Sequence, residues 1–294
     1  MTQRTSKVKT AEEAFAVVTP GTVLSMTCTH YNSVPRAAMR QLVRQGARDL
    51  TIIPTPSAGL AIDMLIGAGC VKKVYCSYVG LEALGLAPNF RRAVEQGEIE
   101  VSDIDETSVI LGYRAAATGV PFAVLPMFYG LTDLPRVNPA VFQQIKDPFT
   151  GAVCYAMPAL RPDVAVIHVQ QCDAFGNARQ LGGHHTEMLI AKASKHVIIT
   201  TEEIIPHEEI AAHPTQTTVP GFLVKSVVRL PYGCHPGACP TRYVYDRPHL
   251  EEYAQLAREG RTAEYLAKYV TGAADHGAYL DLIGANHLMQ LRAQ

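Results

Sequence analysis

The stretch Asp163-Val-Ala-Val-Ile-His-Val-Gln-Gln-Cys-Asp-Ala-Phe-Gly-Asn177 decides the fold of this chain. Its nearly continuous apolar run, 163–169, ends in the polar residues Gln170 and Gln171 and then turns. A helical pattern follows over 185–194, and a second apolar run covers 196–204. Strand, turn, helix and strand in this order form the unit of a parallel sheet. The segment therefore predicts an α/β protein.

The same alternation continues on both sides of this stretch. Short, apolar, β-branched runs predict strands at 22–28, 49–55, 72–79, 99–104, 122–126, 163–169, 197–201 and 226–230. Helical patterns lie between them at 34–45, 58–68, 89–96, 107–118 and 186–194. Helical crossovers of this length predict a mainly parallel sheet.

Two parts of the chain depart from this alternation. From about residue 248 onward the pattern is helical, with apolar residues spaced for one buried face. Residues 131–156 form a longer, proline-containing connection without clear strand signals, which fits an insertion or an interface element. Because no repeat or flexible linker divides the chain, we expect one domain over 1–294 with a helical C-terminal portion.

Composition excludes several function classes. The 294 residues carry 26 Lys+Arg and 27 Asp+Glu, for a net charge of −1, so no basic surface for nucleic acid is expected. Apolar runs are shorter than the roughly 20 residues of a membrane helix. The N-terminus has no apolar leader, and the seven Cys have no disulfide-framework spacing. These features predict a cytoplasmic protein with reduced thiols.

Common cofactor and nucleophile motifs are missing. No Gly-Lys-Ser/Thr and no Gly-x-Ser-x-Gly occurs, and Cys28 to Asn32 stand where a dinucleotide fold places glycines. His184, His185 and Glu187 do not have the spacing of a zinc-binding helix. Cys234 and Cys239 are expected to be buried thiols in a Pro/Gly-rich loop. We therefore expect neither a permanently bound cofactor nor a metal.

Polar residues follow the predicted strands. If the strands are parallel, their carboxyl ends meet at one edge, where open α/β sheets bind ligands. The alternative is that these residues are polar because they form turns. The candidates for a pocket at this edge are Thr29, His30, Ser57, Ser77, Tyr78, Gly80, Gln170, Gln171 and Asn177.

The order of several segments resembles a known family. The segments are Arg48-Asp-Leu-Thr51, Asp147-Pro-Phe149, residues 163–204 and Leu230-Pro-Tyr-Gly-Cys-His-Pro-Gly-Ala-Cys-Pro240. In this order they resemble the A (alpha) subunit of the family I coenzyme A transferases, of the glutaconate CoA-transferase type. The resemblance implies a three-layer α/β/α architecture with a mainly parallel, mixed seven-stranded sheet, the NagB/RpiA/CoA-transferase-like fold.

The resemblance also implies an activity and a partner. Family members move coenzyme A between an acyl-CoA thioester and a small carboxylic or dicarboxylic acid. A glutamate on a separately encoded B (beta) subunit forms a mixed anhydride and then a glutamyl-CoA thioester, which divides one acyl exchange into easier steps. This chain is then expected to form one wall of the substrate and CoA pocket, in a heterodimer or an α2β2 assembly.

Two positions depart from the family pattern. The first strand leads into Cys28-Thr29-His30-Tyr31 instead of a Gly-Gly-Phe loop, which implies a reshaped pocket. Glu106 matches a glutamate of the related steroid ring-opening CoA-thioester hydrolases, where it would act as a general base. It also fits a carboxylate placed at a helix N-terminus. Transferase, hydrolase and non-catalytic scaffold therefore remain as three alternatives for this chain.

Overall fold

The computed structural model describes residues 4–27, 30–55 and 57–292. Its strands are β1 (Val23–Met26), β2 (Leu50–Ile53), β3 (Val71–Cys76), β4 (Glu100–Asp103), β5 (Phe122–Leu125), β6 (Gln143–Lys146), β7 (Val153–Pro158), β8 (Val164–Cys172), β9 (Ala178–Arg179), β10 (His196–Ile204) and β11 (Val224–Arg229). Its α-helices are α1 (Ala11–Phe15), α2 (Arg36–Arg44), α3 (Leu60–Gly67), α4 (Pro88–Glu95), α5 (Glu106–Ala117), α6 (Leu134–Val137), α7 (Glu187–Ala193), α8 (His207–Ala212), α9 (Arg247–Arg258), α10 (Thr262–Leu266), α11 (His276–Ile283) and α12 (Ala285–Gln290).

The main sheet has the strand order β11-β10-β8-β1-β2-β3-β4. These seven strands are parallel, and β9 adds one antiparallel pairing on β8. The mainly parallel, mixed sheet predicted from the sequence is confirmed. From β1 the chain first adds β2, β3 and β4 on one side, and it later adds β8, β10 and β11 on the other side. Leu24 of β1 accordingly pairs with Ile52 of β2 and with Val164 of β8. The switch point of the sheet therefore lies at β1 and β8.

Helices cover both faces of this sheet. Leu24 and Met26 of β1 belong to a core shared with α2, α3, α4 and the C-terminal helices. Ala165 and Ile167 of β8 belong to a second core shared with α5 and α7. Burial on both faces explains why the strands read as continuous apolar runs. The predicted helix–sheet–helix layering is thus observed.

The strand predicted at 122–126 exists, but it does not belong to the parallel sheet. It forms a separate antiparallel sheet with the order β5-β7-β6, in which Phe122 pairs with Pro158. Phe122 and Val124 are 46% and 56% exposed, and they alternate with the buried Ala123 and Leu125. Such alternation is typical of a sheet covered on one face only. The connection 131–156, which showed no clear strand signal in the sequence, contains β6 and the start of β7, so that expectation was wrong. The polar residues of β6 conceal that strand.

The C-terminal helices pack against the early part of the chain through buried polar contacts. The Asp63 carboxylate of α3 accepts hydrogen bonds from Phe90 N at 2.8 Å and from the Tyr253 hydroxyl at 2.7 Å. Three helices, α3, α4 and α9, therefore meet at one carboxylate. Across 4–27, 30–55 and 57–292, no helix combines the length and the apolar character needed to cross a membrane.

Candidate functional site

The loops after β1, β2 and β3 meet at the carboxyl edge of the sheet. Ala58 N donates to Tyr78 O at 2.9 Å, and Gly80 N donates to Ala58 O at 3.0 Å. These two bonds join the loop after β2 to the loop after β3. Ser57 and Gly80 are buried there, whereas Ser77 and Tyr78 are half-buried. A Cβ at Gly80 would collide with the Tyr78 hydroxyl, so the tyrosine can lie against this backbone only because residue 80 is glycine.

The loop after β1 closes onto the same place. His30 Nδ1 lies 2.5 Å from Glu82 Oε1, and the Tyr31 hydroxyl donates to Leu81 O at 2.5 Å. Burial, followed by the nearby Glu82 charge, raises the pKa of Tyr31, which keeps this hydroxyl protonated and donating. The structure thus brings together five of the predicted residues, which we call the His30 cluster: His30, Ser57, Ser77, Tyr78 and Gly80. Thr29 lies outside the described residues.

A small polar pocket adjoins this cluster on the β8 side of the switch point. It has a volume of about 110 Å³ and is lined by Asn32, Ser33, Gln180, Gly183, His185 and Pro240. Ser33 is 4% exposed and Gln180 is 5% exposed. Ser33 Oγ and Gln180 Oε1 have no hydrogen-bond partner among the described residues. Because buried polar atoms are nearly always paired, two unpaired atoms in one pocket indicate a place for a ligand.

The orientation of the Gln180 amide follows from its neighbour. Gln180 Nε2 donates to the buried Glu187 carboxylate at 3.3 Å, so the amide oxygen must point the other way. Sequence reasoning missed both Ser33 and Gln180. Neither stands in a motif, and their proximity depends on how the loop after β1 packs against residues beyond β9.

The glutamines of β8 and Asn177 hold the surrounding backbone. Gln170 Nε2 donates to Leu181 O and to Pro240 O, each at 3.0 Å. Gln171 Nε2 lies 3.5 Å from Glu203 Oε2, at the protein surface. Asn177 accepts a hydrogen bond from Gly221 N at 2.9 Å. Gln170 therefore shapes the polar pocket through its walls, while the structure does not bring Asn177 to the His30 cluster.

A buried ion pair lies behind the pocket. His168 Nε2 is 2.9 Å from Glu202 Oε1, and the same carboxylate accepts hydrogen bonds from Tyr232 N at 2.7 Å, Gly233 N at 3.1 Å and the Tyr243 hydroxyl at 2.7 Å. Burial lowers the pKa of His168, but the neighbouring Cys239 and the Glu202 carboxylate outweigh this effect and raise that pKa to about 9. Although burial raises the pKa of Glu202, its hydrogen bonds hold it below the usual value. Both groups are therefore charged at neutral pH.

This ion pair fixes the loop 231–240, which in turn positions the loop after β1. Ala238 N donates to Tyr31 O at 2.8 Å, and Ser33 N donates to Ala238 O at 3.0 Å. The loop 231–240 is also bound to α2. Arg36 donates a hydrogen bond to the carbonyl oxygen of Cys234 at 3.0 Å, and Arg40 donates one to that of His235 at 2.9 Å. The position of Ser33 in the pocket thus depends on the loop 231–240.

Glu106 lies at the carboxyl edge, beyond β4. It is the first residue of α5, whose N-cap Asp105 accepts hydrogen bonds from Thr107 N and Ser108 N, each at 3.2 Å. The buried Tyr129 donates to Asp105 at 3.0 Å, which orients this cap. The Glu106 side chain is exposed. Its position fits a helix N-terminal carboxylate, and it also leaves the acid accessible to a ligand.

An open α/β sheet with a polar pocket at its switch point is the arrangement of a ligand-binding α/β protein. Residues 8–230 match the coenzyme A transferase family, and this chain belongs to that family. It is 34% identical over 304 residues to the A chain of glutaconate CoA-transferase from Acidaminococcus fermentans, covering 98% of this chain and 95% of that protein. The crystal structure of glutaconate coenzyme A-transferase from the same organism superposes with a TM-score of 0.91 at 34% identity, over 98% of this chain and 96% of the other.

Two further relatives frame the comparison. A cholesterol ring-cleaving hydrolase IpdA subunit of Rhodococcus jostii is 30% identical over 82% of this chain and 84% of its own length. An uncharacterized protein of Archaeoglobus fulgidus is 37% identical over 85% of this chain, which spans only 56% of that longer protein. This chain is thus similar both to part of a transferase and to part of a hydrolase.

Proposed function

We propose that this chain is the alpha subunit of a heteromeric CoA-transferase. It moves coenzyme A between an acyl-CoA thioester and a small carboxylic or dicarboxylic acid, in the cytoplasm and without a permanently bound cofactor. The observation that carries the proposal is the similarity to the A chain of glutaconate CoA-transferase over 98% of this chain. Its partner is a CoA-transferase beta subunit, in a heterodimer or an α2β2 assembly.

In the proposed reaction the partner supplies the nucleophile. A glutamate carboxylate of the partner attacks the thioester carbonyl, which forms a mixed anhydride and releases the CoA thiolate. The thiolate then attacks the glutamyl carbonyl, which gives glutamyl-CoA and frees the donor acid, and the acceptor acid repeats both steps in reverse. In this chain Glu82 is paired with His30 at 2.5 Å, so it is not a free nucleophile at the cluster.

The residues of this chain form the wall that receives the substrates. We assign Ser57, Ser77, Tyr78 and the backbone at Gly80 to contacts with the acyl group, because they share the His30 cluster. The polar pocket suits the pantetheine arm of CoA, a narrow chain with two amide N–H groups. Gln180 Oε1 can accept from one of them, and Ser33 Oγ can pair with a neighbouring carbonyl.

Replacing Gln180 by leucine tests this assignment. Since one hydrogen bond to the substrate is lost, we expect KM for acyl-CoA to rise about five- to tenfold while kcat changes little. The hydrogen bond from Gln180 Nε2 to Glu187 is lost as well, so thermal unfolding of the variant complex must show that it is folded. Steady-state kinetics of the complex with its partner measure both constants. Gln255→Leu, at an exposed position on α9, is the matched control. An unchanged KM in a folded complex contradicts the assignment, and unchanged turnover of variants at His30 and Tyr78 as well would favour the scaffold alternative.

A second candidate function is hydrolysis of a ring-containing CoA thioester, with Glu106 as the general base. It is favoured by the exposed carboxylate at the start of α5 and by the similarity to the Rhodococcus hydrolase. A general base contributes roughly 10²- to 10⁴-fold to the rate.

Glu106→Gln in the complex separates the two functions. A transferase that uses a partner glutamate should exchange CoA between a labelled acyl-CoA and a free acid within about twofold of the wild-type rate, since no proton transfer depends on residue 106. Glu98→Gln, at an exposed site after α4, serves as the control. A loss of roughly 100-fold or more in an intact complex would instead assign Glu106 to catalysis and support the hydrolase.

A further inference from the structure

Three histidines and one aspartate meet outside the candidate site, where the loop 231–240 contacts the C-terminal helices. Asp246 Oδ2 lies 3.0 Å from His235 Nε2 and 2.6 Å from His287 Nε2. Donor atoms of His235, Asp246 and His249 all lie within 4.8 Å of one another. We propose that these four residues bind a divalent transition-metal ion of the zinc type.

The donor set suits such an ion, the donor atoms of three of the four residues lie within 4.8 Å of one another, and His287 reaches the shared Asp246 carboxylate. Imidazole nitrogens and a carboxylate oxygen are zinc ligands, at about 2.0–2.1 Å from the metal. In a tetrahedral site the donor atoms are then about 3.3 Å apart. The observed separations of 2.6 and 3.0 Å need to open by less than about 1 Å, which side-chain rotation can supply.

The remaining ring nitrogens are held in the way that metal-binding histidines require. His235 Nδ1 lies 2.6 Å from the Tyr279 hydroxyl, and His249 Nε2 lies 2.9 Å from the Tyr265 hydroxyl. These bonds fix the two rings, so that His235 Nε2 and His249 Nδ1 are the metal-binding atoms. The ion would take the place of the hydrogen bond that His235 Nε2 makes with Asp246 at 3.0 Å. Partners of this kind orient the ligands of metal sites and raise their affinity.

An entry path and a negative charge are also present. A cleft of about 280 Å³ is lined by Asp246, His249 and His287, and the His287 side chain is 42% exposed. Glu252, in the same cleft, is paired with Lys268 at 3.0 Å. The Arg40 guanidinium lies 3.6 Å from the centre of the Tyr279 ring, and its positive charge disfavours a bound cation nearby. The ionised Asp246 must therefore supply the charge that holds the metal ion.

A bound ion would join three segments of the chain. His235 belongs to the loop 231–240, Asp246 and His249 to the start of α9, and His287 to α12. The metal therefore has a structural role in this proposal, because it fastens the C-terminal helices to the loop that positions Ser33. Binding to the folded state alone stabilises that state by mass action.

A second cluster has to be distinguished by experiment. Donor atoms of His168, Cys234 and Cys239 also lie within 4.8 Å of one another. All three side chains are fully buried, whereas an open cleft reaches Asp246, His249 and His287. An ion therefore has a path from solvent to the histidine–aspartate cluster, so we assign the metal there and none to this second cluster.

Titration of the full chain in its complex, after treatment with a chelator, tests the proposal. With Zn²⁺ as the probe, calorimetry should give one ion per chain and a raised Tm. His249→Phe and His287→Gln should each weaken binding at least about tenfold. His213→Gln, an exposed histidine after α8, should change nothing. His287→Gln should lower the apo Tm only slightly, because the contact that it removes, with Asp246, is made by a side chain that is 42% exposed, and ion pairs at exposed side chains contribute little stability.

Co²⁺ in place of Zn²⁺ identifies the donor atoms. Nitrogen and oxygen donors give visible absorption of tetrahedral Co²⁺ without a sulfur-to-cobalt charge-transfer band. A charge-transfer band that disappears in Cys239→Ser would place the ion at the thiol cluster and overturn the proposal. The absence of Zn²⁺ binding, or binding unaffected by both histidine variants, would overturn it as well and leave the four residues as a hydrogen-bonded group.

Discussion

Replacing Glu202 by alanine should lower the free energy of unfolding by about 3–5 kcal/mol, because the buried His168 cation loses its counter-ion. The carboxylate also accepts hydrogen bonds from Tyr232 N, Gly233 N and the Tyr243 hydroxyl. The His168 ring and these three donors would then have no acceptor. They lie in a buried region, since His168 is fully buried and the Glu202 side chain is 9% exposed. Urea denaturation of the full chain, followed by circular dichroism, measures the loss.

The neighbouring Glu203 provides a matched control. Its ion pair with Arg242, at 2.8 Å, joins side chains that are 49% and 34% exposed. Pairs of this kind contribute at most about 1 kcal/mol, so Glu203→Ala should change stability little. Glu202→Gln keeps the size of the side chain, so its loss of stability should lie between those of Glu202→Ala and Glu203→Ala. A loss below about 1 kcal/mol for Glu202→Ala would mean that water or local rearrangement replaces the carboxylate.

Much of the fold can be predicted from the sequence because the main sheet is covered on both faces. The apolar run at 163–169 corresponds to β8, although the strand continues through the polar Gln170 and Gln171 to Cys172. The helix predicted at 107–118 is α5, Glu106–Ala117. The antiparallel sheet was harder to foresee. Its strand β6 contains Gln143, Gln144 and Lys146 and has no apolar face that the sequence could reveal.

The candidate site could be predicted only in part. Polar residues after parallel strands indicate the edge that carries the site, and His30, Ser57 and Tyr78 lie there together. Tertiary packing decides whether a polar side chain faces a ligand or forms hydrogen bonds with the backbone, and the sequence does not show that packing. Gln170 binds Leu181 and Pro240, whereas Gln180, with no motif around it, has an unpaired buried oxygen in the pocket.

The proposed metal site illustrates the same limit. Asp246 and His249 are three residues apart, but His235 and His287 lie 11 and 41 residues from Asp246, so the four residues form no recognised metal motif. Cys234, His235 and Cys239 are close in sequence, but the His235 ring contacts Asp246 and Tyr279. Neighbours in sequence therefore serve two different clusters, and only packing of the C-terminal helices brings the four residues together.

Dependence on a partner is the other large effect that we expect. This chain alone should exchange no CoA between an acyl-CoA and a free acid, and activity should appear when the beta subunit is added. The reason lies in the acids near the cleft. Glu82 is paired with His30, Asp105 caps α5, and Glu106 follows β4 at the edge strand of the sheet, away from the switch point. None of these three is a free carboxylate beside the polar pocket, and Glu187, which adjoins it, is buried and accepts hydrogen bonds from Gln180 Nε2 and His185 N.

Trapping the covalent intermediate shows which chain carries the nucleophile. With acyl-CoA present, hydroxylamine or borohydride should modify one glutamate of the partner and leave this chain unmodified, as intact-mass measurement of both chains can show. The same treatment without acyl-CoA is the control. Modification of Glu106 instead would move the nucleophile onto this chain. Turnover without any covalent product on either chain would favour general-base hydrolysis, so the trap and the Glu106→Gln variant must agree if the transferase proposal is correct.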